Sequence, residues 1–191
     1  NSALTSAGVT NLDGDEAVTL TDTSLAAATL NTLDGNTSGT VDATTVTTIT
    51  GTADAIVNVA QSAGITMAAD YAATVDSGTA TVAQALILDA ATTGAITATI
   101  SNGDLTTLTA LTDANGNNAL TITLTDTSAD AADLNTVAAI TSVVVDATAV
   151  TTITGTADAI VNVAQSAGIT MAADYAATVD SGTATVAQAL I

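Results

Sequence analysis

Short runs in which Thr alternates with Leu, Ile or Val recur along the chain, each followed by a turn-forming cluster and then an Ala-rich stretch of helical character. Val18 to Thr21 is the clearest case: strict alternation places one face apolar and the other hydroxylated, which predicts a half-buried strand. Asp22 and Thr23 then turn the chain. Leu25 to Leu33 follows with good helix formers, with Thr23 or Ser24 as its N-cap and Gly35 suited to a left-handed C-terminal cap. The plan recurs over Thr47 to Gly64, where Thr52 is the predicted cap, Asp54 lies favourably in the first turn and Gly64 ends the helix. Ile65 to Asp76, Ile96 to Ser101 and Leu120 to Thr125 supply further strand material.

These elements belong to a repeat. Residues 41–87 and 145–191 are identical apart from Thr45 against Ala149, an offset of 104 from 41 to 145. Ala17 to Leu33 matches Thr121 to Val137 more loosely at the same offset. Aligning the apolar residue that follows a Thr picks out Leu20, Ile49, Val75, Ile100, Leu124, Ile153 and Val179, spaced by 24 to 29 residues. Periods in this range mark solenoids. The predicted fold is a right-handed α/β solenoid in which parallel strands stack about 4.8 Å apart and alternate with short helices. The alternative is an all-β solenoid whose apparent helices are turns or short strands, since Thr and Val favour strands. Residues 1–191 read as one continuous solenoid segment, a fragment of a longer array. One long repeat covers 17–120 and an incomplete second one 121–191, built from rungs of about 24–29 residues, four to a long repeat. Strand edges at both ends call for cover by a neighbouring repeat, another subunit or a cap.

Composition narrows the chemistry sharply. Across 191 residues there is no Lys, Arg, His, Cys, Pro, Phe or Trp, and 19 acidic side chains give a formal charge of −19. No imidazole base, thiolate, Schiff-base amine or guanidinium can be assembled, so a non-catalytic protein is expected. Nucleic acid is excluded as a partner because nothing neutralises a phosphate, and an anionic membrane surface is excluded likewise. With 48% apolar residues, mostly Ala, Val, Ile and Leu, and only Tyr71 and Tyr175 as aromatics, the chain suits thin regular layers rather than a bulky core. No signal peptide or membrane span is visible, since Thr, Asp or Gly interrupts every apolar run.

Carboxylates, hydroxyls and amides remain as candidate chemistry. Leu12 to Glu16 and Asp113 to Asn117 set hard oxygen ligands at alternating loop positions beside Gly, making Asp13, Asp15, Glu16, Asp113, Asn115 and Asn117 candidate calcium ligands. Divalent cations are the available compensation for so much negative charge, while the bland reading is a pair of turns leading into strands. Val75 to Thr79, repeated at Val179 to Thr183, has the hydrophobic, Asp, Ser, Gly setting of an aspartic protease. The two copies stand four rungs apart, too far for Asp76 and Asp180 to share a proton, and a strand-ending turn accounts for both. ThrxThr pairs at 19/21, 48/50, 97/99, 123/125 and 152/154 form a potential hydroxyl ladder of the kind found on ice-binding solenoids, interrupted by Asp76 and Asp180. Asn36, Thr37 and Ser38 form a glycosylation sequon.

The runs LTDTSLAAATLNTLDGNTSGTVDATTVTTITGTADA and ITLTDTSADAADLNTVAAITS resemble the repeats of very large cell-surface proteins of marine cyanobacteria, among them one implicated in swimming without flagella. The resemblance spans nearly the whole chain. It implies a secreted, cell-surface or extracellular array protein with adhesive, protective or motility-related roles, self-associating through neighbouring repeats or subunits into a homopolymer or filament, with glycan as a possible partner. Composition fits that setting on its own terms. Without Lys or Arg there is no site for trypsin-like proteases, and uniform negative charge keeps bundles apart unless cations bridge them. The runner-up expectation is a module that binds ice, a glycan or a mineral through a Thr-lined face.

Overall fold

A computed structural model describes residues 14–190, so that of the predicted calcium ligands Asp13 lies outside the described residues. The fold is α/β, with parallel sheets and short helices, and falls into two compact units that meet between Ala98 and Thr99. The all-β alternative fails: Ala-rich stretches that periodicity leaves ambiguous are helical because their small apolar residues recur at every third or fourth position and pack inward.

In the first unit, each pass of the chain contributes two strands and one helix. The leading strands β1 (Val18–Thr19), β3 (Val41–Ala43) and β5 (Ile65–Met67) pair in parallel, with Val18 beside Val41 and Val41 beside Ile65. The following strands β2 (Ser24–Ala26), β4 (Thr48–Thr52), β6 (Ala72–Ser77) and β7 (Ile96–Thr99) do the same, setting Leu25, Ile49, Ala73 and Ile96 in one row. Parallel neighbours need a crossover, and the helices α1 (Ala27–Asp34), α2 (Ala53–Gln61) and α3 (Val82–Ala91) supply it, α1 packing on α2 and α2 on α3. α1 buries Ala27, Leu30 and Leu33, and α3 buries Val82, Ala85 and Leu88, the same narrow stripe on both. Ile49 and Ile56 are fully buried between these layers.

The second unit repeats the plan. After α4 (Leu105–Leu108) and β8 (Ala119–Thr121) come β9 (Ser128–Asp130), α5 (Ala131–Ala139), β10 (Val145–Ala147), β11 (Thr152–Thr156), α6 (Ala157–Gln165), β12 (Ile169–Met171) and β13 (Ala176–Ser181). β10 pairs with β12, and β11 lies between β9 and β13 with Ile153 beside Ala129 and Ala177. A single 3-10 turn, Gln188–Leu190, follows.

Several local expectations need correction. Partners in register are 23 or 24 residues apart (Val18 to Val41, Leu25 to Ile49, Ala73 to Ile96), not 24–29. Ile49 therefore stacks on Leu25 and Ala73, whereas Leu20 follows the leading strand β1 and Val75 stands beside Gly51. The Thr-apolar motif occurs in both strands of a pass, so matching motifs by appearance mixed leading with following strands. Ser24 to Ala26 is a strand, so α1 starts two residues later than predicted. Its N-cap is Ala26, with no side-chain bond, and Gly35 is right-handed at φ −70°. Ile65 to Asp76 is two strands with a turn between them. Thr52 caps α2 as expected, its hydroxyl accepting from the Ala55 N–H at 3.2 Å.

One glycine position carries real conformational demand. Gly51 has φ +144° and Gly155 φ +140°, and at both the sheet register slips by one residue as the strand hands over to its helix. A bulge there redirects the chain, and this region of backbone space belongs to Gly. TITGT is thus a strand-to-helix device in both copies.

Candidate functional sites

The Asp113 loop is organised by its own carboxylate. Asp113 Oδ1 accepts from the N–H groups of Gly116 at 2.8 Å and Asn117 at 3.2 Å, while Oδ2 accepts from Asn118 N–H at 3.1 Å. Gly116, at φ +68°, permits the tight wrap. Asn118 is buried, and its side-chain amide donates to Thr112 O at 3.5 Å. Asn115 and Asn117 are exposed on the loop. This carboxylate thus does for a turn what backbone donors require.

At the other acidic loop, Glu16 Oε2 accepts from Gly14 N–H at 3.2 Å and Asp15 is exposed. Asp15 and Glu16 belong to the first unit, and Asp113, Asn115 and Asn117 to the second. Among the described residues no group of three or more carboxylates or other metal-binding side chains gathers. Asp76 and Asp180 are both exposed at the ends of β6 and β13, each followed by a left-handed glycine, Gly78 at φ +82° and Gly182 at φ +81°.

With no basic side chain available, hydroxyls and backbone N–H groups serve the carboxylates. Asp42 Oδ1 accepts from the Thr44 hydroxyl at 2.7 Å and its N–H at 3.1 Å, and Asp146 does the same with Thr148. Those hydroxyls, then the amides, hold both carboxyls below the usual aspartate range. Asp104 is lowered similarly by Thr107. Asp126 Oδ2 accepts from Leu105 N–H at 2.6 Å.

The threonine rows are shorter than the sequence implied. Thr50 stands beside Ala26 and Thr74, and Thr74 beside Thr97, giving one row of three. Thr48 lies between Ser24 and Ala72, Thr19 beside Asp42, and Thr154 between Asp130 and Thr178. Register, which sequence spacing could not supply, interposes Ala and Asp.

A different hydroxyl series was overlooked. After each helix a Ser or Thr turns back so that its hydroxyl accepts from the N–H two residues on: Thr37 from Gly39, Ser62 from Gly64, Thr92 from Gly94, Thr141 from Val143 and Ser166 from Gly168. Three of them also donate to a carbonyl 21 residues earlier, Thr37 to Glu16 O at 2.6 Å, Thr92 to Tyr71 O at 2.6 Å and Thr141 to Leu120 O at 2.8 Å. Ser62 instead donates to the Asp34 carboxylate at 2.7 Å. Each hydroxyl thereby staples one pass to the previous one. Thr37 and Thr92 are buried polar side chains for this reason. The signal was present as Ser/Thr-x-Gly after four of the helices. A Cβ at Gly39 would come within 2.5 Å of Asp15 O, and one at Gly94 would overlap Tyr71 O. Within the sequon, Asn36 is exposed and Ser38 Oγ donates to Gly14 O at 3.1 Å.

Among the described residues no helix is long and apolar enough to cross a membrane. Comparison with protein-family models, with curated proteins and with solved structures finds no match to this chain.

Proposed function

We propose that this chain is a non-catalytic structural segment of a secreted or cell-surface array protein, in which successive passes wind as a right-handed solenoid and serve adhesion, protection or motility. The observation that carries the reading is the recurrent parallel register, Leu25 beside Ile49 beside Ala73 beside Ile96, with a hydroxyl staple reused between passes. Such a unit adds by repetition, each pass burying the face of the one before. Right-handedness follows from the general hand of strand–helix–strand crossovers between parallel neighbours. The resemblance of the LTDTS and TITGT runs to cyanobacterial surface repeats supports the extracellular setting.

Calcium has a place in this reading as the counter-ion that lets uniformly negative segments lie side by side, with the loops at Asp15, Glu16, Asp113, Asn115 and Asn117 as its candidate contacts. Electron microscopy of purified protein, with and without millimolar calcium, tests the proposal. Rods or filaments are the expected outcome. Dispersed particles that show thermal hysteresis in freezing assays would instead favour surface binding through the row Thr50, Thr74 and Thr97.

A further inference from the structure

Residues 72–87 and 176–191 have the same sequence, and the first copy records what covers the surface that the second leaves open. In the first copy β6 has a neighbour on each side, β4 and β7. The incoming strand sets Ile96 beside Ala73 and Thr97 beside Thr74. Ala73 N–H donates to Ala95 O at 3.0 Å, Thr93 N–H to Ala69 O at 2.9 Å, and the Thr92 hydroxyl to Tyr71 O. Gly94 passes so close beneath the Asp70 and Tyr71 carbonyls that no Cβ fits. Under that strand Tyr71 is 2% exposed and Val75 8%.

In the second copy β13 pairs with β11 alone, Val179 is 40% exposed, and Tyr175 is only half-buried. Beside it lies an apolar groove of about 310 Å³ lined by Ile160, Val161, Ala164, Tyr175, Ala177 and Val179. We propose that this groove and the β13 edge are an acceptor site for a parallel strand with the chemistry of residues 92–98, Thr-Thr-Gly-Ala-Ile-Thr-Ala. The Thr hydroxyl of that strand bonds Tyr175 O, its Gly passes under the same carbonyl, and its Ile fills the position beside Ala177. The occupant is thus a further repeat of this sequence class, joined by strand addition: main-chain bonds supply affinity and the glycine supplies selectivity.

The proposal rests on the array reading only for its biological setting. The test is a capped peptide of residues 88–101 titrated onto the full chain. Hydrogen exchange is followed at the Ala177 amide, and acrylamide quenching of Tyr175 is followed in a Tyr71→Phe background, which leaves a single tyrosine. Saturable protection is expected, with Ala177 exchange slowed about tenfold or more and Tyr175 shielded, while a peptide carrying Gly94→Val does neither. The same sequence appended after Ile191 should protect Ala177 intramolecularly, again only with the glycine in place. Absence of protection in both formats overturns the proposal, as does equal protection by the Val peptide. Protection without peptide that accompanies a doubling of mass also overturns it, because the occupant is then a second copy of this chain. Peptide capture without rods in the microscope would discard the array reading while leaving the acceptor site standing.

Discussion

Residues 41–87 and 145–191 differ at one position, yet they end in different states. Through the first half of the repeat they agree: Ile49 and Ile153 are fully buried, Val59 and Val163 are each 2% exposed, and α2 and α6 share bounds and caps. From the second strand onward they part. Val82 is 5% exposed within the ten-residue helix α3, whereas Val186 is 78% exposed beside a single 3-10 turn. In this architecture a pass is completed by the one that follows it. Local sequence suffices for a TITGT strand and its capped helix. It does not suffice for the next strand and helix, whose apolar face is buried only when a further pass arrives.

The largest effect that separates the copies should come from deleting the same side chain in each. Val75→Ala removes buried methyl groups and should cost about 2 kcal/mol, whereas Val179→Ala should stay within about 0.5 kcal/mol, both read by urea unfolding. Equal losses would break the comparison. Next in size, Thr92→Val removes a buried hydroxyl bonded to Tyr71 O and Gly94 N–H, and should cost about 1–2 kcal/mol. Ser166→Ala, at the half-buried counterpart of Ser62, should cost well under about 1 kcal/mol by the same measure.

Burial pushes the Tyr71 hydroxyl above the ordinary tyrosine value of 10.0. Above that pH the unfolded chain has lost this proton while the native chain retains it, so Tyr71 makes stability fall as pH rises toward its native pKa. Its hydroxyl also has no hydrogen-bond partner. Tyr71→Phe should therefore be neutral or stabilising by up to about 1 kcal/mol near neutrality, and should flatten the alkaline decline in thermal melts taken on both sides of the tyrosine range. An unchanged alkaline profile would show that Tyr71 is not the titrating group.

The smallest expected effect lies at the single difference between the copies. The exposed Thr45 hydroxyl donates to Leu20 O at 2.8 Å, a bond for which Ala149 has no atom. Thr45→Ala should cost about 0.5 kcal/mol and increase hydrogen exchange around Leu20. A loss several times larger would make this position a determinant of the first unit.

Much of this was legible because it is local. The 104-residue repeat, the Thr52 cap and the strand-then-helix order of TITGTADAIVNVAQ depend on residues near one another in the chain. Register was not legible, since Leu20 and Ile49 have the same local pattern but belong to different strands of the pass. The turn that divides Ile65–Met67 from Ala72–Ser77 was missed because apolar residues continue through it. The loop of Asp113 was visible as a wrap of oxygen ligands, while the use of its carboxylate by three backbone donors emerged only with the backbone in place.

By itself the sequence determined which chemistry is absent, where the chain repeats, and which short stretches alternate or coil, because these depend on composition and nearest neighbours. Tertiary structure alone decided which residue stacks on which, which hydroxyls are buried as staples, and that Tyr71 is covered while Tyr175 is half-open. Those outcomes depend on a segment some 21 to 24 residues away in the chain pressing against the residue in question, a distance over which local pattern has no say.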